Sequence, residues 1–364
     1  MHRPMLILLP FLVVLTALGS FAAAQDTVRL RNGTVESGRV EAENYDALQF
    51  KAKKGKEERV LKLAWNDVTE LTYGSAPDYH QAVSQLSTGN VGAALPRLQG
   101  LVAGTTLRKE MRPAAMYQLA SGQMRAGQYA EAAATLLELV KTNAKSRYLL
   151  PATRALVECH LALGNVEAGG EAIEAAFAAA TEAGVDANQA TAFDYFRGLL
   201  LEAKKDYAAA KARYQTATRS DNGAIPIGLM ARLGLARCDR AAGHVDEART
   251  AFRSIIDQGQ GNEVLAGAWN GLGDIALQDG IKARSAEKVT DALFMHLRGV
   301  VVHAPAPGEG TAEYEHALAG AAEAFRQLGE LETDEALKKQ QALRSRQRLD
   351  QLRKEFPHSS YLPK

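Results

Sequence analysis

The side chains most able to carry out chemistry are few in this chain. Cys159 and Cys238 are its two cysteines, and each precedes a glycine by five residues. This shared position predicts two equivalent, small core residues. Equivalent positions in separate structural units lie beyond the roughly 7 Å between Cα atoms that a disulfide tolerates, so neither a bridge nor a nucleophile is predicted.

The eight histidines show no metal-ligand spacing. His296, His303 and His316 are the densest group, but their separations of 7 and 13 residues match no known ligand motif. The sequence contains no Gly-x-Ser-x-Gly, phosphate-binding loop or His-Glu-x-x-His. We therefore predict no catalytic residues, no metal ion and no cofactor.

Composition narrows the class of protein. The chain has 364 residues, of which 46% are hydrophobic, so it is long enough for two or more domains. Its 43 basic and 42 acidic residues balance, whereas proteins that bind nucleic acid usually have a basic excess. Nucleic acid is therefore not the predicted partner, and two cysteines exclude a disulfide scaffold.

Residues 1–24 have the pattern of a secretory signal. Arg3 is the only charged residue before Asp26, residues 5–18 are apolar, and Ala22-Ala23-Ala24 ends the segment. This pattern predicts cleavage after Ala24 and export to the periplasm or cell envelope. The alternative is a retained membrane anchor, which needs about 20 apolar residues.

Residues 25–74 have the pattern of a small all-β module. Apolar and polar residues alternate over 27–31 and 47–52, as in half-buried strands. Asn32-Gly33 is a strong hairpin signal, since both turn positions tolerate positive φ. A third strand-like run covers 34–42, and two more follow at 59–63 and 68–73, so the five runs together predict a five-stranded, barrel-like module.

This module resembles SH3-like and Sm-like barrels, on the pattern of Leu30, Asn32-Gly33, Gly38 and Val40. Sm-like barrels often bind RNA, and Tyr45, Phe50 and Trp65 are candidates for a stacking platform. The module has nine basic and nine acidic residues, and the signal sequence directs the chain away from RNA. We therefore expect Phe50 and Trp65 to fill the small core.

Residues 75–364 contain an internal repeat of helical patterns. A glycine, a spacer, Tyr or Val and then alanine recur, with lysine replacing the glycine once; successive copies are 38, 37, 41 and 38 residues apart. The copies are Gly89-Asn-Val-Gly-Ala-Ala94, Gly127-Gln-Tyr-Ala-Glu-Ala132, Gly164-Asn-Val-Glu-Ala168, Lys205-Asp-Tyr-Ala-Ala-Ala210 and Gly243-His-Val-Asp-Glu-Ala248.

This repeat resembles the tetratricopeptide repeat, a pair of antiparallel helices of about 34 residues. Trp269-Asn-Gly-Leu272-Gly273 matches the start of the family pattern literally. The resemblance implies a mainly α fold, an α-α superhelical solenoid of about six to seven helix pairs that follows the β module. Gly280 and Gly329 are the expected turns of the last two pairs, and a capping helix is expected from Asp334 to Glu355.

The resemblance also implies which side chains face the inner groove of the solenoid. Some members of the family hold a partner's terminal carboxylate with lysine and asparagine, a set that this sequence lacks. A groove with tyrosine and arginine suits peptide contacts, since both residues are enriched in interface hot spots. The implied groove residues are Tyr117, Ser121, Arg154, Glu158, Tyr195, Arg237, Arg240, Asn270 and Asp274.

The C-terminal helix is a second candidate surface. Residues 338–355 contain seven basic side chains and two acidic ones, and Leu337, Leu343, Leu349 and Leu352 are expected to pack on the preceding helix. Arg344, Arg346 and Arg348 are candidates for an electrostatic dock for an acidic partner or anionic lipid headgroups. A solubilising cap is the alternative interpretation.

Three hypotheses of function follow. The leading one is an exported, non-enzymatic adaptor that binds another protein through the concave face of the solenoid. The second is an enzyme or enzyme subunit, with a site between the β module and the first repeat near Glu70, Asp78 and His80. The third is a structural homo-oligomer that associates through the C-terminal helix.

Overall fold

A computed structural model describes residues 25–74, 76–220, 226–305 and 310–362. The predicted signal segment, residues 1–24, lies outside the described residues. An antiparallel sheet begins the described chain, with strand order β4-β3-β2-β1-β5. Its strands are β1 (Asp26–Leu30), β2 (Val35–Glu43), β3 (Ala47–Lys54), β4 (Glu57–Ala64) and β5 (Val68–Thr72).

Local sequence explains the shape of this sheet. Asn32-Gly33 forms the tight turn between β1 and β2, with Gly33 at φ +85°. At Gly38 a Cβ atom would lie 2.0 Å from the carbonyl oxygen of Lys51, so only glycine lets β2 approach β3 this closely. Phe50 is fully buried, which confirms its expected place in the core.

Fourteen helices follow within the described residues. They form seven antiparallel pairs, as the repeat predicted. The pairs are α1 (Pro77–Ser87) with α2 (Val91–Ala103), α3 (Arg112–Arg125) with α4 (Tyr129–Thr142), α5 (Leu149–Ala162) with α6 (Val166–Glu182), α7 (Ala187–Ala203) with α8 (Tyr207–Ala217), α9 (Ile227–Ala241) with α10 (Val245–Gln258), α11 (Asn262–Ala283) with α12 (Ala286–Val301), and α13 (Ala312–Leu331) with α14 (Glu335–Glu355).

The turns within the first five pairs lie where the repeat places them. Each turn contains one residue in the left-handed region, which ends the first helix of the pair. Lys205 takes this conformation at φ +62°, so the replacement of glycine by lysine keeps the turn geometry. The other four are Gly89, Gly127, Gly164 and Gly243.

The turns of the last two pairs differ from the prediction. Gly280 and Gly329 are buried inside α11 and α13, and α11 instead ends at Ala283, where Arg284 caps it with φ +49°. A Cβ on Gly280 would lie 2.7 Å from Val289 of α12. Both glycines therefore sit beside the second helix of their pair, and the extra residues of these units lengthen the helices.

Large rings from the second helices set the spacing of the first helices. The Tyr214 ring of α8 lies between Gly198 of α7 and Gly234 of α9, where added Cβ atoms would be 2.5 and 2.6 Å from it. The His296 ring of α12 lies in the same way between Gly273 and Gly320. Small residues at these contacts let neighbouring pairs pack directly on one another.

Two hydrophobic clusters contain most of the core. One joins Val28 and Phe50 of the sheet to Leu86 and Leu98 of the first helix pair, so the sheet packs on the helices. The other runs from α3 to α11 and contains both cysteines, which are free and fully buried. Both are therefore core residues, as predicted, and burial raises the pKa of each thiol to about 12.

The capping helix α14 begins after Asp334, as predicted, but it packs with a different face from the one expected. Leu352 is buried, whereas Leu337 and Leu343 are 45% and 55% exposed. Ser345 faces α13 instead, and its hydroxyl donates a hydrogen bond to the carbonyl oxygen of Ala322. The prediction that these leucines pack on the preceding helix was therefore wrong for Leu337 and Leu343.

We expect Gly234→Ala to lower the free energy of unfolding by about 1–3 kcal/mol, because the new methyl group overlaps the Tyr214 ring. Gly100→Ala is the matched control, since Gly100 lies in α2 with open space around it. That change is expected to stabilise the protein by about 0.5–1 kcal/mol through helix propensity. Urea denaturation of both variants measures the difference, and equal effects would contradict the ring contact.

Candidate functional site on the inner wall

The first helices of the pairs form the inner wall of the domain. Seven of the nine predicted groove residues lie on α5, α7, α9 and α11, where positions three or four apart share one helix face. The structure brings six of these seven into polar contacts: Arg154 and Glu158 form one set with Glu263, and the other four belong to a network that extends to α13. The six are Arg154, Glu158, Arg237, Arg240, Asn270 and Asp274.

One ion pair spans this wall over a long sequence separation. The Arg154 guanidinium of α5 binds both carboxylate oxygens of Glu263 on α11, at 2.8 Å for Nη1 to Oε2. Its Nε also donates to Glu158, at 2.9 Å. Arg154 and Glu263 are 14% and 18% exposed, so the pair is largely desolvated. It joins the third helix pair to the sixth.

Arg237 occupies the middle of the network. Its guanidinium forms a two-point contact with Glu202 of α7, at 2.8 and 3.0 Å, and reaches Glu313 of α13 at 3.3 Å. The Tyr214 hydroxyl donates to Glu202 at 2.6 Å, and Asn270 donates to the Glu313 backbone carbonyl at 2.7 Å. Forked arginine–carboxylate pairs fix geometry as well as charge, so these helices are held in register.

Two histidines meet at Asp274, which also pairs with Arg240. His316 Nε2 lies 3.2 Å from Asp274 Oδ1 and His296 Nε2 lies 3.7 Å from it. Burial lowers the pKa of His296 to about 4. Although burial also acts against charge on His316, Asp274 and Glu313 raise the pKa of His316 to about 9. His316 is therefore cationic at neutral pH and His296 is neutral.

The sequence did not predict that His296 and His316 lie together. Their ring centroids are 5.9 Å apart, whereas His303 binds Asn262 instead. The repeat register could have indicated the place of His296 on its helix, because His296 follows Ala292 by four residues, as Tyr214 follows Ala210. Within the described residues, no group of three His, Cys, Asp or Glu side chains is placed to hold a metal ion.

The remaining predicted groove residues differ in accessibility. Tyr195 is 5% exposed and packs against Phe196 and Tyr214, so its ring belongs to the core. Tyr117 and Ser121 of α3 are half-buried at the N-terminal end of the wall. Fewer of the predicted groove residues are therefore accessible than the sequence predicted, because the first helices approach one another so closely.

A segment at the C-terminus also contacts this side of the domain. Residues 356–362 leave α14 and form two successive turns, through hydrogen bonds from Ser359 to Phe356 and from Leu362 to Ser359. The Tyr361 ring stacks on the His316 ring, with centroids 5.1 Å apart and planes 5° apart. This segment, which we name the tail, was not predicted to fold back.

The junction of sheet and helices does not assemble the predicted alternative site. Glu70 pairs with Arg29 and Asp78 with Arg97, while His80 donates to the Tyr73 carbonyl oxygen. The three side chains thus have separate partners and do not form one site.

Two buried carboxylates instead fasten the sheet to the helices. Asp26 accepts hydrogen bonds from the backbone of Val40 and Gly74 and pairs with Arg108 at 2.8 Å. Glu43 lies 3.4 Å from Arg147, and burial raises the pKa of Glu43 to about 7. The Arg147 guanidinium covers the Trp65 ring at 4.1 Å, so Trp65 serves this junction.

Two of the three arginines of the predicted electrostatic dock on α14 are exposed to solvent. Arg344 and Arg346 are exposed, and Arg344 lies 5.9 Å from the centre of the Phe325 ring. Arg348 is half-buried and donates to Gln351 at 2.7 Å. Leu337 and Leu343 are exposed on the same helix, which gives it a mixed basic and apolar surface.

A double-mutant cycle tests the contact between α5 and α11. We expect Arg154→Met alone to lower the free energy of unfolding by about 3 kcal/mol, because Glu263 is left buried and unpaired. Adding Glu263→Met should recover part of that loss, with a coupling of about 1–3 kcal/mol. The exposed pair Arg326 and Glu330 of α13 is the control, with expected coupling below about 0.5 kcal/mol. Equal coupling in both cycles would contradict the contact.

Comparison with protein families supports the repeat. Models described as tetratricopeptide repeat match residues 114–146 and 195–263. These segments correspond to α3 with α4 and to the region from α7 to the start of α11. The chain therefore contains tetratricopeptide repeats, as its sequence predicted. No curated protein matches the chain.

Solved structures of helical-repeat proteins are similar to this chain at low identity. A tetratricopeptide repeat protein from Parabacteroides merdae is 16% identical, with a TM-score of 0.41, over 74% of this chain and 99% of that one. PilW, a type IV pilus biogenesis factor, is 16% identical over 69% and 96%, with a TM-score of 0.38. A repeat protein from Cytophaga hutchinsonii is 10% identical over 78% and 96%, at 0.36.

Proposed function

We propose that this chain, which contains tetratricopeptide repeats, is an exported, non-enzymatic adaptor that binds another protein through the inner wall of its helical domain. Seven stacked helix pairs present an extended surface, and repeat proteins bind through many shallow contacts along such a surface. Protein partners are typical of tetratricopeptide repeats, which favours binding over catalysis.

The inner-wall network is the observation that carries this proposal. Arginine and carboxylate side chains follow one wall from α5 to α13, and their mutual contacts fix their positions. Side chains that are already ordered lose little conformational entropy when a partner binds. Tyr117 and Ser121 are half-buried on α3, at the N-terminal end of this wall, and have no part in the ion pairs.

Export is supported by the sequence of residues 1–24. The first strand of the sheet begins at Asp26, two residues after the proposed cleavage site. In the described part of the chain, no helix combines the length and the apolar character that a membrane span requires. N-terminal sequencing of the chain from its native envelope is expected to start at Gln25.

Proximity labelling in the native cell tests the adaptor function. Ser121→Trp should fill the N-terminal end of the inner wall and remove the specifically labelled envelope proteins. Ser254→Trp is the matched control, because Ser254 is exposed on α10, a second helix of its pair. Recovery of the same proteins by both variants, or of abundant nonspecific proteins alone, would contradict binding at this wall.

The basic surface of α14 favours a second contact, with an acidic partner or anionic lipid headgroups. Each basic residue near such a surface contributes about 1 kcal/mol at most, and salt screens it. We expect Arg344→Glu/Arg346→Glu/Arg348→Glu to abolish binding to vesicles with 30% anionic lipid or to an acidic partner at low salt, while the circular dichroism spectrum is unchanged. Reversal of the exposed Arg232 and Arg253 is the control. Unchanged binding by the triple variant means that α14 is a cap.

A further inference from the structure

The tail connects two distant parts of the helical domain. At one end the His358 ring lies over Gly127, where an added Cβ would be 2.4 Å from it, and meets the Tyr129 ring edge to face at 6.2 Å. At the other end Tyr361 stacks on His316 of α13. The tail therefore bridges the second helix pair and the seventh.

The tail is held mainly by its rings. Phe356 packs against Tyr314 with centroids 5.9 Å apart, and Leu362 joins a small cluster with Leu352 and Val300. Within the described residues, the hydrogen bonds of residues 358–362 all stay inside the tail. Ring contacts are individually weak, and the residue Tyr361 as a whole is 41% exposed. The tail therefore rests in a shallow seat from which it can be displaced.

The seat is shaped for aromatic side chains. Gly127 has no side chain, so a flat ring can lie directly on its backbone. His316 offers its whole ring face to Tyr361, and a cationic imidazolium favours an electron-rich ring above it. Tyr129 and Tyr314 supply further rings on the two sides of the seat.

We propose that this seat, formed by Gly127, Tyr129, Tyr314 and His316, receives a non-helical segment of a partner protein that carries aromatic residues, and that the tail fills it in the free chain. The partner segment has aromatic residues spaced as Phe356, His358 and Tyr361 are, two and then three positions apart. A partner segment must displace the tail before it binds, so the strength of the tail's own contacts determines the affinity of the chain for the partner. This inference rests on the proposed function, because the adaptor role is the reason to expect that the partner is a protein.

A peptide of residues 355–362, amidated and fluorescently labelled, tests the seat by fluorescence anisotropy with the full chain. A tethered segment competes at millimolar effective concentration. The variant His358→Ala/Tyr361→Ala should therefore bind the peptide at least about tenfold more tightly than the unchanged chain. The tail substitution Ser360→Ala is the matched control, because Ser360 is exposed, and it should leave the affinity unchanged.

Variants of the seat are then made in the His358→Ala/Tyr361→Ala chain. Tyr129→Ala and His316→Ala should each weaken peptide binding by about two- to tenfold, as expected for the loss of one ring contact. Tyr129 begins α4 and lies outside the ion-pair network, so its variant is informative even if His316→Ala unfolds. His244→Ala, at an exposed histidine, is the matched control and should have no effect.

Equal peptide affinity in the unchanged chain and the double tail variant would overturn the proposal, as would no binding to the folded double variant. These outcomes are distinct from failure of the adaptor function. If Ser121→Trp removes labelled partners but the peptide does not bind, the adaptor stands and the seat is wrong. If the peptide binds as expected but no partner is recovered, the seat stands and the adaptor proposal fails.

Discussion

The close approach of one inner helix to the next is the constraint on which this structure depends. The Tyr214 ring of α8 and the His296 ring of α12 each fit against glycines on the inner helices at both sides. Any side chain at those glycines would force the helices apart. Because the helices are so close, charged groups on different pairs reach each other directly, and the wall becomes a network of partly buried ion pairs.

The features that the sequence could predict are those that do not depend on this close approach of the helices. Turn residues, helix pairs and the start of the capping helix depend on local chemistry, and their spacing in the repeat located them. Gly280 and Gly329 were misassigned because a glycine at a helix crossing and a glycine at a turn have the same identity in sequence. The burial of His296 was not predicted, although His296 follows Ala292 as Tyr214 follows Ala210.

The contacts that could not be predicted join residues far apart in the chain. Arg154 and Glu263 are separated by 109 residues, and Asp26 and Arg108 by 82. Nothing in the local sequence of one member identifies the other, since many exposed arginines and carboxylates look alike. The junction through Asp26 and Glu43 makes the sheet part of the first helix pair's core, so it is a fixed neighbour of the inner wall.

The bridge between Arg154 and Glu263 has a consequence for how the chain acquires its structure. In an ordinary repeat array each unit contacts only its neighbours, so folding can start anywhere and spread along the chain. Here the contact between Arg154 and Glu263 joins residues 109 positions apart, so it forms only after the helix pairs between them have stacked. A chain that emerges N-terminus first completes its early pairs while Arg154 still lacks Glu263. Its inner wall therefore stays unclosed, and open to proteases or chaperones, until the sixth pair has emerged.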